Sequence, residues 1–216
     1  MHLIQKIPLV DANVHYCAQF FDAASAAELL RDLIATTPWE THFVRIFGRE
    51  IPAPRQSSWH GDPHCSYRYS KVRYEPKAWT PALTQVRNIL AMTGIGEFNC
   101  VLANFYRSGS DSMGWHSDSE PELGPDPLIA SVSLGAPRRF CLRHKMGPDK
   151  HELLLTSGSL LVMAEGAQKN YQHALPKMTN VGAPRVNLTF RQIASESQMP
   201  TSCTKPPQNR YISHLP

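Results

Sequence analysis

Apolar residues recur at helical spacing in two segments of the first half of the chain. In FDAASAAELLRDLIATTP, residues 21–38, Asp22 is a good helix cap, and the leucines and the isoleucine that follow fall on one face. In TPALTQVRNILAMTG, residues 80–94, Thr80 is the cap and Pro81 takes the first helical position. Each segment therefore predicts an amphipathic helix.

From Asn99 onward the pattern changes to short apolar or alternating runs, separated by Gly and Pro. The runs are CVLANFY, PLIASVSLG, RRFCLRH, HELLLTSG, SLLVMAEG and RVNLTFRQI. Several short strands at this spacing predict an all-β sandwich or jelly roll, preceded by a smaller helix-containing part. The fold class is thus α+β, mainly β. The polar stretch 194–216 has no period and is expected to be a flexible tail.

Length and composition point to one domain over residues 1–193. The chain has 216 residues and a mass of 24.2 kDa, within the range of a single mixed or all-β domain. No run approaches the ~20 apolar residues of a membrane span, and the first residues lack the features of a signal peptide. The five cysteines form no C-x-x-C pair. We expect a cytoplasmic protein with reduced thiols and no membrane partner.

Positive charge is concentrated in two parts of a chain whose net charge is only +4. Residues 41–77 hold seven Lys and Arg against three acidic residues, and residues 137–151 hold five against one. These segments could be solvated faces, but they also suit a polyanionic partner.

The candidate metal ligands begin with the spacing His-x-Asp, which occurs twice. In WHGDPH, the Gly and Pro around His60 and Asp62 favour a turn, so we interpret that copy as loop structure without a metal. In GWHSDSEPELG, an extended strand would place His116 and Asp118 on the same side, although a polar turn is the alternative. His173, in NYQHALP, is the best-placed third ligand. Two histidines and one carboxylate are typical of non-haem Fe(II) oxygenases.

A second constellation could bind a small dianion. The run RVNLTFR alternates strictly, so that Val186, Leu188 and Phe190 face the core and the polar face carries Arg185, Asn187, Thr189 and Arg191. Two guanidiniums inside a barrel need an anion. The two arginines start ~20 Å apart along the strand, but their long side chains could lean towards one another and bind the two ends of a small dianion such as a dicarboxylate. An edge strand with solvent-facing arginines is the alternative. In LANFYRSG, Asn104 and Tyr106 share a face and could add carboxylate ligands, unless Tyr106 is only a core residue.

Five segments taken together, in order, resemble the AlkB family of Fe(II)- and 2-oxoglutarate-dependent dioxygenases. They are NFYRSGSDSMGWHSDSEPELG, PLIASVSLGAPRRFCLRHK, GSLLVM, YQHALPK and PRVNLTFR. The similarity runs over roughly residues 45–192 and is closer to the eukaryotic nucleic-acid dealkylases than to the founding bacterial member.

The resemblance implies a double-stranded β-helix core over about residues 98–192 and a nucleotide-recognition lid over about residues 41–79. It implies Fe(II), with 2-oxoglutarate and O₂ as cosubstrates. The residues that it assigns to iron are His116, Asp118 and His173. Those that it assigns to 2-oxoglutarate are Arg185, Asn104 and Tyr106 at the distal carboxylate, with Asn187 and Arg191 nearer the end that chelates iron.

The lid segment interleaves aromatic and basic side chains, as a nucleic-acid interface does. Aromatic planes can stack on an unpaired base while cations such as Arg55 hold phosphates, although several of these rings must belong to the core. We expect Trp59 and Tyr69 to contact the base, together with Tyr67.

The function implied by the resemblance is oxidative removal of alkyl groups from 1-methyladenine and 3-methylcytosine in alkylated DNA, with RNA left open, as DNA alkylation repair. 2-Oxoglutarate is converted to succinate, and formaldehyde is released. These methylated bases are cationic, so the carboxylate of Glu120 is placed to favour their binding. The alternative is that Glu120 is a carboxylate at the rim of the site with no role in binding. The alternatives are an oxygenase that acts on a protein side chain or a metabolite, and a non-catalytic cupin-like barrel. We expect a monomer.

Overall fold

The computed structural model describes residues 3–46, 49–65, 67–69 and 72–193. Its helices are α1 (Ala23–Thr36), α2 (Pro81–Met92) and the short α3 (Ala167–Asn170). Its strands are β1 (Gln5–Lys6), β2 (Val14–Cys17), β3 (Phe43–Ile46), β4 (Arg49–Pro52), β5 (Gln56–Gly61), β6 (Tyr67–Tyr69), β7 (Val72–Tyr74), β8 (Cys100–Tyr106), β9 (Met113–His116), β10 (Ile129–Gly135), β11 (Arg138–His144), β12 (Lys150–Leu155), β13 (Ser159–Met163), β14 (Tyr171–Leu175) and β15 (Arg185–Arg191).

Two antiparallel sheets make the body of the fold. The larger sheet has the order β1-β2-β13-β10-β15-β8-β5, and the smaller has the order β12-β11-β14-β9. Non-sequential neighbours in both sheets are the mark of a jelly roll. The predicted mainly β, jelly-roll fold class is therefore confirmed.

The two predicted amphipathic helices are confirmed, with the expected caps. The carboxylate of Asp22 accepts a hydrogen bond from the Ser25 amide at the start of α1, and the Thr80 hydroxyl accepts one from the Leu83 amide at the start of α2. Both helices bury their apolar faces against the outer surface of the larger sheet, where Val186, Leu188 and Phe190 are fully buried. The helices therefore cover one side of β15, and the polar side of β15 turns towards the smaller sheet.

The space between the two sheets is only partly filled by apolar side chains. Phe140 and Leu142 of β11 and Leu155 of β12 pack against Leu161 and Met163 of β13. The rest of this space, beside the polar face of β15, is open and forms the cavity of the candidate site.

The larger sheet extends beyond the predicted core of residues 98–192. β2 pairs with β13 at one side, and β5 pairs with β8 at the other. β5 lies inside the predicted lid, and among the described residues of that segment the strand pairs β3–β4 and β6–β7 form separate two-stranded sheets. Long-range pairing of this kind leaves little trace in the local pattern of the sequence.

The interpretation of His60-Gly61-Asp62 as a loop is wrong for its first two residues. His60 is buried in β5, where its ring contacts the Ser58 hydroxyl and the Ala78 carbonyl. Gly61 lies opposite Cys100, and a Cβ at Gly61 would sit 2.9 Å from the Asn99 carbonyl oxygen. The glycine therefore allows a close strand approach and does not mark a turn.

The remaining sequence predictions concern the thiols, the membrane and the tail. Cys17, Cys65, Cys100 and Cys141 are free thiols, as expected. No helix in the described ranges has both the length and the apolar character needed to cross a bilayer. The predicted tail, residues 194–216, lies outside the described residues.

Candidate metal centre and anion pocket

Two neighbouring strands and one loop bring His116, Asp118 and His173 together. His116 ends β9 and pairs directly with His173 of β14, so that the two ring centroids are 4.2 Å apart. Asp118 lies just beyond the end of β9, and its Oδ1 is 3.7 Å from His116 Nε2. One potential ligand atom from each of the three residues lies within 4.8 Å of the others.

Hydrogen bonds hold the ligand loop in place. The Nδ1 of His116 lies 2.9 Å from the Gly114 carbonyl oxygen, which can only accept, so Nδ1 is the donor in this contact and Nε2 is the ring nitrogen on the side of Asp118. The Asp118 amide donates to Oε1 of Gln168 at 2.9 Å, and the Ser117 hydroxyl donates to the Tyr171 carbonyl at 2.7 Å. The loop is thereby attached to the segment that leads into His173.

The protonation states in this cluster suit a metal ion. Burial alone would raise the pKa of Asp118, but the positive charge of Arg191 is the main factor that holds it at about 2. Burial lowers the pKa of His173 to about 3, with a further contribution from His116. The carboxylate is therefore ionised and the His173 imidazole neutral, the forms in which both side chains bind a divalent cation.

Arg191 orients the carboxylate. Its Nη2 donates to Asp118 Oδ2 at 2.7 Å and its Nε to the same oxygen at 3.3 Å. Oδ1, the oxygen closer to His116, has no part in this contact. Arg191 thus engages one oxygen of the carboxylate and leaves the other directed at the metal position.

The opposite end of β15 presents a buried cation in different surroundings. Arg185 is 2% exposed and donates to the Ser133 hydroxyl at 2.9 Å, while its Nε is buried with no hydrogen-bond partner among the described residues. Its guanidinium carbon lies 5.2 Å from the centroid of the Tyr106 ring. Burial lowers the pKa of Arg185 to about 10, which still leaves it charged at neutral pH. A buried cation with an open donor fits an anionic ligand.

Two amides line the space between these ends. The side-chain nitrogen of Asn187 donates to the Ser131 hydroxyl at 2.8 Å and to the Val132 carbonyl at 3.0 Å. Oδ1 of Asn104 accepts a hydrogen bond from Arg55 Nε at 2.9 Å. The serines of β10 were missed in the sequence, although the alternation in IASVSLG places Ser131 and Ser133 on one polar face, a signal that could have found them.

One cavity of about 510 Å³ joins the two ends of β15. This volume is in the range of sites for small ligands. Of the predicted site residues, the cavity is lined by Arg55, Trp59, Asn104, Tyr106, His116, Asp118, Glu120, His173, Arg185, Asn187 and Arg191. The structure thus brings together in one space those predicted metal, anion and base-binding residues whose side chains it describes.

The predicted base contacts are placed unevenly. Trp59 is 9% exposed, and its indole N–H donates to the Cys65 carbonyl at 3.1 Å, so only part of its ring can meet a ligand. Glu120 is half-buried beside the metal cluster. Tyr67 and Tyr69 lie in β6, and their side chains lie outside what the structure describes.

Comparison with known proteins agrees with the geometry. Residues 13–191 match a family model described as the 2OG-Fe(II) oxygenase superfamily. The chain is 36% identical over 184 residues to the mouse protein named alpha-ketoglutarate-dependent dioxygenase alkB homolog 3, covering 81% of this chain and 64% of that one. It is 37% identical over 195 residues to the bovine DNA oxidative demethylase ALKBH2, covering 85% of this chain and 70% of that one. The chain thus spans about two thirds of the length of these relatives.

A solved structure, titled "The structure of OsALKBH1", is similar in fold. The TM-score is 0.63 with 16% sequence identity, and the match covers 88% of this chain and 100% of the other. At this identity the likeness concerns the fold alone.

Proposed function

The chain belongs to the AlkB family of the 2OG-Fe(II) oxygenase superfamily, and we propose that it removes alkyl groups oxidatively from N-alkylated bases in DNA. The substrates would be 1-methyladenine and 3-methylcytosine, with RNA as a second polymer to be tested. 2-Oxoglutarate would be the cosubstrate, and the products would be succinate, formaldehyde and the unmodified base. The name DNA oxidative demethylase, carried by relatives that are 37–39% identical, supports the choice of DNA.

One observation carries the proposal. A single cavity has a two-histidine, one-carboxylate cluster at one end and a buried arginine with an open donor at the other. A dicarboxylate could chelate a metal through one end and give Arg185 a counter-charge and a hydrogen-bond acceptor through the other. A structural metal site needs no second, cationic end of this kind.

In the proposed reaction His116, Asp118 and His173 would hold Fe(II). With 2-oxoglutarate and O₂, Fe(II) would supply the chemistry that oxidises the alkyl carbon, and that carbon would leave the base as formaldehyde. Arg191 keeps the pKa of Asp118 low, so the ligand stays ionised, and it fixes which oxygen faces the metal. Phe140 lines the cavity and stacks on His173 with ring centroids 5.4 Å apart, so it would hold the imidazole in place and help to exclude water there.

The cosubstrate roles are divided between the ends of β15. Arg185, with Tyr106 and Asn104, would bind the distal carboxylate of 2-oxoglutarate. Asn187 and Arg191 would lie nearer the end that chelates iron. The hydrogen bond from Arg55 to Asn104 connects this cosubstrate site with the segment between β4 and β5, in which Arg55 lies.

The alkylated base would enter beside Glu120, with Trp59, Tyr67 and Tyr69 as stacking surfaces and Arg55 near the phosphates. Glu120 lines the cavity beside the metal cluster, where a carboxylate favours a cationic base. A monomeric state of the enzyme stays a prediction. A cytoplasmic location stays a prediction from the sequence.

The decisive experiment is a panel of DNA and RNA oligonucleotides, single- and double-stranded, that each carry one methylated base. With Fe(II), 2-oxoglutarate and O₂, mass spectrometry should show loss of the methyl group and an equal amount of formaldehyde. Omission of 2-oxoglutarate or the change His116→Ala should abolish both.

Two outcomes would contradict the proposal. Absence of demethylation over the whole panel, with 2-oxoglutarate still consumed, would favour an oxygenase that acts on a protein or a metabolite. Absence of any turnover, with metal still bound, would favour the non-catalytic barrel.

A further inference from the structure

A second buried arginine lies close to the distal end of the cavity and has no assigned role. Arg138 begins β11 and is 0% exposed. Its guanidinium donates to three backbone carbonyls: Ser108 at 3.1 Å, Asp111 at 2.7 Å and Pro176 at 2.8 Å. Its Nε is buried without a hydrogen-bond partner in the part of the chain that the structure describes.

These three carbonyls belong to the two connections that flank the candidate site. Ser108 and Asp111 lie between β8, which ends at Tyr106, and β9, which ends at His116. Pro176 directly follows β14, which carries His173. Arg138 therefore fixes the backbone at the cavity end where Tyr106 and Arg185 meet.

Arg138 also adds charge to that end. Its guanidinium carbon is 5.8 Å from the Tyr106 ring centroid, and that of Arg185 is 5.2 Å from the same centroid. The nearby carboxylate of Asp111 is engaged by Arg107 through contacts of 2.8 Å. The charge of Arg138 contributes to lowering the pKa of Arg185, so the two cations act on each other. Two positive charges beside the same buried ring make the binding of an anion there more favourable.

We propose that Arg138 is a positioning residue for the distal carboxylate of 2-oxoglutarate, acting through its positive charge and through the Tyr106 end of the cavity without touching the ligand. The inference rests on the proposed function, since it takes 2-oxoglutarate as the ligand of Arg185. It adds a residue outside the cavity lining to the determinants of cosubstrate affinity. The distal carboxylate then meets the field of two guanidiniums, of which only Arg185 donates to it.

The test is calorimetric binding of two ligands to protein loaded with Mn²⁺ in place of iron. 2-Oxoglutarate carries the distal carboxylate, and 2-oxopentanoate has the same carbon chain without it. The variants are Arg138→Met and Arg138→Gln, which remove the charge, and Arg138→Lys, which keeps it. Arg139→Met is the matched control, because Arg139 is the next residue of β11 and its side chain is 45% exposed beside Glu152.

Removal of the charge should raise the Kd for 2-oxoglutarate about tenfold and change the Kd for 2-oxopentanoate less than about twofold. Arg138→Lys should stay closer to the wild type than either neutral variant, and Arg139→Met should match the wild type. Equal losses for both ligands would show a merely structural role, and no loss would show no role; either result overturns the inference. Wild-type protein that fails to bind 2-oxoglutarate would instead contradict the proposed function.

Folding of each variant is checked by circular dichroism and thermal unfolding. If no neutral variant folds, the Nε–H resonance of Arg138 in the wild-type protein decides. It should shift on addition of 2-oxoglutarate and not on addition of 2-oxopentanoate. An equal response to both ligands would overturn the inference.

Discussion

Strand β15 carries a buried arginine at each end of the same face, and the two meet opposite surroundings. Arg191 donates to Asp118 at 2.7 Å. Burial acts to lower the pKa of the Arg191 guanidinium, but the charge and hydrogen bond of Asp118, together with the charge of Glu120, raise it. Arg185 meets the neutral Ser133 hydroxyl and the Tyr106 ring, and burial lowers its pKa to about 10. No salt bridge connects Arg185 to a carboxylate within residues 3–46, 49–65, 67–69 and 72–193.

This difference separates a structural charge from a binding charge. A buried ion pair is neutralised by the protein itself. Removal of one partner leaves the other as an uncompensated buried charge, which destabilises the fold. A buried cation without a counter-charge already carries that cost, which a ligand anion can relieve. The Arg191 end should therefore govern folding and metal geometry, and the Arg185 end should govern affinity for the cosubstrate.

The largest effect should follow removal of the Arg191–Asp118 ion pair at one end of β15. Asp118→Asn removes the carboxylate of the metal cluster and leaves Arg191 buried without its salt-bridge partner. We expect the free energy of unfolding of the metal-free protein to fall by about 3–5 kcal/mol, and demethylation to be lost. Urea unfolding and the formaldehyde assay measure the two effects.

The double variant Asp118→Asn/Arg191→Met is the control for that prediction. It removes both charges, so it should recover much of the lost stability and none of the activity. If Asp118→Asn unfolds at the same urea concentration as the wild type, the Arg191–Asp118 pair contributes nothing in solution and the contrast between the ends is wrong.

The next effect concerns the unpaired end and has the opposite sign for stability. Arg185→Met removes a buried charge that has no counter-charge, so the ligand-free protein should be as stable as the wild type or more stable by about 1–4 kcal/mol. The stabilisation by 2-oxoglutarate, about 2.7 kcal/mol at one hundred times its Kd, should disappear. Thermal unfolding of the Mn²⁺ form, with and without 2-oxoglutarate, measures both.

Arg191→Met is the matched comparison, since it removes the same side chain from the other end of the strand. It should lower the stability of the metal-free protein, in contrast to Arg185→Met. Equal destabilisation by the two changes would contradict the division between a structural and a binding arginine.

The polar face of β15 shows what the sequence could predict. Strict alternation in RVNLTFR identified the core side and the cavity side, and the structure confirms both. The His-x-Asp spacing with His173 likewise led to a cluster that forms. Local patterns succeed here because strand periodicity decides which side chains share a face.

Arg138 and β5 show what the sequence could not predict. The partners of Arg138 are backbone carbonyls up to 38 positions away, and carbonyls have no sequence signature. β5 falls in the segment that the resemblance assigns to the lid, and nothing in its own residues, QSSWHG, indicated its pairing with β8. Which strands become neighbours depends on long-range packing, so a single pattern of residue types does not determine it.

The smallest expected effect concerns Glu120, which adds negative charge at the Arg191 end. Its charge acts on Arg191, and it lines the cavity beside the metal cluster. A carboxylate there should favour a base that is cationic when methylated. We therefore expect Glu120→Ala to lower turnover of an oligonucleotide with 3-methylcytosine about three- to tenfold, and substrate-uncoupled succinate formation much less.

A neutral lesion distinguishes charge recognition from shape. Turnover of 3-methylthymine, which carries no charge, should change little in Glu120→Ala. The ratio of the 3-methylcytosine rate to the 3-methylthymine rate should therefore fall in this variant, and it should fall less at high salt. Glu122→Ala, in the same short turn of Pro121–Leu123, is the control, because Glu122 does not line the cavity. Equal losses on both lesions, or equal losses of demethylation and uncoupled succinate formation, would remove Glu120 from base recognition. The negative charge at this end would then act on Arg191 and the metal cluster alone.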